Sequence, residues 1–184
     1  MKKIFIFIAA IFSLNTAQAF INAPMVDMQS MITANAPANW TVGDYANYKM
    51  SIGSFLNGTM SMEVMRFDGT ELEINQKLDL QIMQQDCTMV IDITTGETKS
   101  LVCNGQAQDT SGGNIEVIET RSEEVTVPAG TFNTTYIKAK ETRQNSIMEQ
   151  WADPYSVAVV GLVKMLTQSQ MGEVKAVLTD FNKQ

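Results

Sequence analysis

A chain of 184 residues has the size of one domain, and its 20 acidic against 13 basic side chains leave a net charge of −7. That balance repels phosphate backbones and anionic lipid heads, so no nucleic-acid partner is expected, nor docking on a membrane by charge. Histidine is absent, which removes Ser-His and Cys-His nucleophile activation, His-ligated zinc and the commonest general base.

The N-terminus reads as an export signal. Met1-Lys2-Lys3 precedes an apolar run from Ile4 to Phe12, and Ala17-Gln18-Ala19 closes it. A basic start, a short apolar core and a small-x-small site are the three parts of a cleavable leader. The run is too short to anchor across a bilayer. The expected organisation is therefore a signal peptide over 1–19, an N-terminal segment over 20–39 with a short helix over 24–35, and an antiparallel β domain over 40–184. Cleavage is expected after Ala19, into the periplasm, with secretion as the alternative. No cysteine adjoins the cleavage site to accept a lipid. No later stretch is long and apolar enough for a membrane helix, so an integral membrane protein is not expected.

The rest reads as strands joined by turns. Strands are expected over 44–55, 60–67, 70–83, 87–93, 97–103, 114–126, 131–141, 146–152, 160–167 and 173–181. Asn57-Gly58 and Asp68-Gly69 signal two-residue hairpin loops. Thr94-Thr95-Gly96 suits a turn closed by a glycine bulge, and Pro128-Ala129-Gly130 and Gly172 mark later reversals. Without helices of crossover length the sheet must be antiparallel. The fold class is thus mostly β: one curved antiparallel sheet, as a half-barrel or open barrel, with a short N-terminal helix.

The first two loops predict a register. Met50 then faces Met65, Met65 faces Leu72, and Tyr48 faces Phe67. Arg66 lies opposite Glu71, a favourable cross-strand pair. One side of the sheet gathers Tyr48, Met50, Ile52, Met65, Phe67, Leu72 and Ile74, and continues along Leu78, Leu80 and Ile82. Lys49, Arg66, Glu71 and Glu73 fall on the other. The ten apolar residues are the expected lining of a ligand cavity. The Thr94–Gly96 loop places Cys87 directly opposite Cys103. They are the chain's only cysteines, and cross-strand neighbours in an oxidising compartment form a structural disulfide.

Thirteen methionines invite a copper reading, since thioethers select Cu(I). Met25, Met28 and Met31 recur at helical spacing, and Met60 and Met62 share one side of a strand that Met65 leaves. Methionine also fills irregular apolar space and lines adaptable surfaces. The expectation is accordingly no resident metal and no cofactor. Residues 109–114 read as a solvated turn. Trp151-Ala152-Asp153-Pro154-Tyr155 reads as packing and turn, with a ligand lip as the alternative.

Val127-Pro128-Ala129-Gly130-Thr131-Phe132, Trp151, Gly161-Leu162-Val163-Lys164 and Leu178-Thr179-Asp180-Phe181 follow one another in the C-terminal third. This order resembles uncharacterised bacterial envelope proteins, which are similar in turn to the half-barrel lipoprotein carriers LolA and LolB. The resemblance implies a bent sheet around an apolar cavity with a helical lid, and no reaction. Three functions remain in view. The first is a non-enzymatic periplasmic domain that binds an apolar small molecule or lipid. The second is a structural or assembly accessory with an envelope protein partner. The third is a Met-rich copper protein.

Overall fold

From Tyr45 to Asn182 most strands carry a buried residue at every second position, the period of a strand with one face turned inward. The structure, a computed structural model, describes residues 39–108, 110, 115–141, 146–169 and 172–184. Its strands are β1 (Tyr45–Ile52), β2 (Leu56–Phe67), β3 (Glu71–Leu80), β4 (Met83–Asp92), β5 (Thr98–Cys103), β6 (Gln106–Ala107), β7 (Ile115–Val127), β8 (Gly130–Glu141), β9 (Ser146–Ala152), β10 (Leu162–Ser169) and β11 (Gly172–Asn182). They form one open antiparallel sheet in the order β6-β5-β4-β3-β2-β1-β11-β10-β9-β8-β7. Consecutive strands are neighbours in the sheet except β6 and β7, which end it on opposite sides, and β11 returns to pair with β1. The helix expected over 24–35 lies outside the described residues.

The sheet has to curl. A flat one would set its outer strands about 48 Å apart, at about 4.8 Å per step. The chain from Ala107 to Ile115 spans at most about 28 Å. Contacts across the sheet agree. Phe132 on β8 meets Phe181 on β11 edge to face, with centroids 5.9 Å apart, although those strands are three steps, or about 14 Å, apart in a flat sheet. The Ala129 N–H, at the β7–β8 turn, donates to the Leu178 carbonyl on β11. Between β9 and β10, Val157, Ala158, Val159 and Val160 are buried in the same core.

Two turns fall as expected. Val127 pairs with Gly130 across Pro128-Ala129. Gly96 takes φ +73° and its N–H donates to the Asp92 carbonyl at 2.7 Å. That loop sets Cys87 opposite Cys103, and the two sulfurs are bonded.

Three other turns correct the expectation. Asn57-Gly58 is no loop. The chain reverses at Gly53-Ser54-Phe55, so Tyr48 faces Met60 and Met50 faces Gly58, not Phe67 and Met65. The reason is burial: this register turns Met60, Met62 and Val64 inward and Ser61 and Glu63 outward. The second loop is Gly69-Thr70. Asp68 accepts the Thr70 and Glu71 N–H groups at 3.0 and 2.8 Å, which holds its carboxyl down at about 2. Phe67, not Met65, therefore faces Leu72. Arg66 faces Glu73, and its guanidinium bridges Glu71, Glu73 and Asp68 together. Finally, the strand expected over 70–83 ends at Leu80, because Leu80 pairs with Met83 and leaves Gln81-Ile82 as a tight turn.

Tyr48 is buried, and its hydroxyl donates to the Leu162 carbonyl at 3.1 Å. Burial pushes that hydroxyl well above its ordinary value of 10.0. Above about pH 10 the unfolded chain gives up the proton while the folded chain keeps it. The stability contributed is whole below that pH and drains away as the pH rises further. Tyr48→Phe is expected to cost about 1 kcal/mol at neutral pH, by leaving the Leu162 carbonyl without its donor. It should also reduce the alkaline loss. Urea midpoints at neutral pH and at about pH 10.5 check both effects.

Candidate functional site

The inner face is where the expected ligand-lining residues meet. Tyr48, Met50 and Ile52 on β1, and Leu72, Ile74, Leu78 and Leu80 on β3, are all at most 4% exposed. Met60, Met62 and Val64 on β2, with Met89, Ile91 and Leu101 beyond, complete the surface. These side chains are buried together in one apolar cluster on the inner face.

Three expected members stand differently. Met65 is 47% exposed, because it sits at the bulge between Val64 and Arg66 and points outward. The same bulge brings Phe67 back inward, where it is half-buried against Trp40 with centroids 5.3 Å apart. Ile82 is 79% exposed at the tip of its turn. Cys87 and Cys103 lie under the surface at the β4–β5 end of this face.

One buried residue does not belong to an apolar wall. Gln76, on β3 opposite Met62 and Cys87, is 3% exposed. Its Nε2 donates to the Met60 thioether at 3.0 Å, a weak acceptor. Its Oε1 is buried without a partner. A polar atom left unpaired in a core costs about 1–3 kcal/mol. The signal was visible in the run Leu72-Ile74-Gln76-Leu78-Leu80, where one amide interrupts the inward series. Across the sheet, Gln150 on β9 is also buried and its Nε2 donates to the Met148 thioether at 3.4 Å. Among the described residues the buried polar and charged side chains are Asp44, Gln76, Thr134, Gln150, Asp153 and Thr167, with no cation among them.

The outer face is polar. A groove of about 570 Å³ runs past Lys49, Asn57, Thr59, Asp79 and Gln81, and another of about 350 Å³ past Ser61, Lys77, Gln84, Asp86 and Asn104. Farther along, Arg121, Tyr136, Trp151 and Lys164 stand directly opposite one another on β7, β8, β9 and β10. Arg121 lies 3.6 Å over the Tyr136 ring and the Lys164 Nζ 4.2 Å over Trp151. The stretch read as packing or lip divides: Trp151 is 5% exposed and Tyr155 66%. Met60 and Met62 share one side of β2 and Met65 lies on the other, as expected, but the faces are exchanged: the pair turns inward and Met65 outward. Met25, Met28 and Met31 lie outside the described residues. So do Asp109 and residues 111–114, most of the stretch read as a solvated turn. Among the described residues, no group of three or more Asp, Glu or Cys is placed to hold a metal, and no helix is long and apolar enough to cross a membrane.

No family model matches the chain, and no curated protein matches it. Solved structures similar to it include two whose likeness is one of fold only. One is a candidate exported protein with a YmcC-like fold from Bacteroides fragilis, at 12% identity over 78% of this chain and 97% of that one, with a TM-score of 0.47. The other is MucB, at 13% identity over 91% of this chain and 58% of that one, with a TM-score of 0.41. Neither likeness is close enough to bring a ligand or a partner with it.

Proposed function

We propose that this protein is an exported, non-catalytic β domain that receives an uncharged apolar molecule against the inner face of its sheet. The export half of the reading stands on the leader-like residues 1–19 and on the Cys87–Cys103 bond, which persists in oxidising compartments. The periplasm is the compartment that suits both, and the resemblance to envelope half-barrels agrees with it.

One observation carries the ligand half: the unpaired Gln76 Oε1 inside an otherwise apolar wall. An orphaned acceptor lowers stability, and such costs persist where function uses the group. A hydroxyl or amide donor on a ligand would satisfy it. A carboxylate would not, since it offers no proton and the described core holds no buried cation. Met60, whose sulfur meets the Gln76 amide, and Met62, directly opposite Gln76, are side chains that repack easily around a guest. The ligand class is thus a neutral amphiphile with a long apolar part.

Gln76→Leu tests this. It should raise the urea midpoint, by removing a buried unpaired amide, while weakening binding of the uncharged dye N-phenyl-1-naphthylamine. Native mass spectrometry of the purified protein should show a neutral lipid adduct on wild type and less on the variant. A variant that is less stable and binds the dye as well as wild type makes Gln76 merely structural and removes the reading.

A second reading, an accessory in envelope assembly, is favoured by the long edge that β7 leaves unpaired among the described residues. Recovery of a stoichiometric protein partner from periplasm, without lipid, would favour it over the first.

A further inference from the structure

Strand β7 ends the sheet on one side, and among the described residues it pairs with β8 alone. At the other end of the order, β6 has only two residues. A long strand with unpaired N–H and C=O groups is a template for another strand. Glu123 turns its carbonyl toward β8, where the Thr134 Oγ1 donates to it at 2.7 Å. Backbone groups alternate sides along a strand, so Ser122 and Glu124 present theirs to the free side. All residues from Glu116 to Ser122 are exposed, Val117 at 55% and Ile118 at 51%. The register shift between Val117 and Glu119 interrupts the ladder, so the regular free run is Glu119–Glu124.

We propose that this edge accepts an extended, basic segment of a partner protein as an added strand. The inference deepens the accessory reading and is independent of the ligand at Gln76. Charge selects the occupant. The strand carries Glu116, Glu119, Glu123 and Glu124 against Arg121. Arg121 is already bridged to Glu119 and Glu123 and laid over Tyr136. A second copy would bring one acidic β7 against another, which like charges oppose. Residues 20–38 of the chain hold one charged residue, Asp27, and no base. A strand with lysine or arginine at alternate positions meets the glutamates and lays apolar residues beside Val117 and Ile118.

The test uses the mature protein and a fluorescent peptide alternating lysine with valine. The peptide should bind, and its glutamate-for-lysine counterpart should bind at least about tenfold more weakly. Ser122→Pro removes an outward N–H and blocks the edge while leaving the β7–β8 ladder intact. It should abolish peptide binding with an unchanged melting temperature. Glu124→Lys should weaken binding and leave the fold alone, and Gln76→Leu should leave peptide binding as in wild type. Equal binding of the acidic peptide, or full binding by Ser122→Pro, overturns the proposal. So does a concentration-dependent dimer that Ser122→Pro dissolves, which would make a second copy the occupant.

Discussion

Gly58→Ala is expected to lower stability by about 3 kcal/mol. Gly58 sits in the interior of β2, opposite Met50 on β1 and Leu80 on β3. A methyl group built there collides with the Asp79 carbonyl oxygen and lies 2.9 Å from the Leu80 Cα. The obstacle is backbone on the neighbouring strand, which cannot swing aside as a side-chain tip can. The sheet must part locally or β3 must shift, and either loosens Leu78 and Leu80, which are buried on the inner face. A urea denaturation curve measures the loss. Asn57→Val is the informative companion. Asn57 is exposed on a strand, where a β-branched residue is neutral or mildly favourable. In a tight hairpin loop the same change would be harmful. A stable Gly58→Ala protein together with a damaged Asn57→Val protein would mean that the chain reverses at 57–58 after all.

Loss of the Cys87–Cys103 bond is the other large effect. The two residues are 16 apart in sequence, and closing a loop of that size is worth about 3 kcal/mol, chiefly by restricting the unfolded chain. Both side chains are also buried, so alanine at both positions gives up some packing. The bond ties β4 to β5 near one end of the sheet, where only the two-residue β6 lies beyond. Cys87→Ala with Cys103→Ala should therefore lower the urea midpoint strongly and expose β5 amides to hydrogen exchange first. Reductant should bring wild type close to the variant and leave the variant unmoved. A wild-type midpoint that ignores reductant would show that the bridge contributes nothing.

Where sequence and structure part company, the cause is a conflict between two local signals. Asn57-Gly58 looks like a hairpin turn, and Leu56, Met60, Met62 and Val64 look like the inward positions of a strand. Both cannot hold, because a reversal at 57–58 would have placed Glu63 inward. The free energy of burying three large apolar side chains exceeds a turn preference, so the alternation wins. Met65 and Phe67 show a subtler limit. A bulge at Met65 swaps the faces of everything after it, and no residue there announces it. Gln76 was legible as an odd polar position, but its lack of a partner depends on what the curled sheet brings near it. The free β7 edge was not legible, since which strand ends up outermost depends on where β11 docks.

The chain alone was enough to establish antiparallel strands, the Cys87–Cys103 pairing and the leader-like start. Each rests on residues close in sequence, through period-two burial, a glycine-closed loop and a run of apolar residues behind two lysines. Tertiary structure decided the β1–β2 register, the buried inner face with its stranded amide, and the strand left open at the edge among the described residues. The register turns on which of two local signals burial favours, while the open edge depends on contacts between segments more than a hundred residues apart, such as β1 with β11 and Tyr48 with Leu162, about which short-range patterns hold no information.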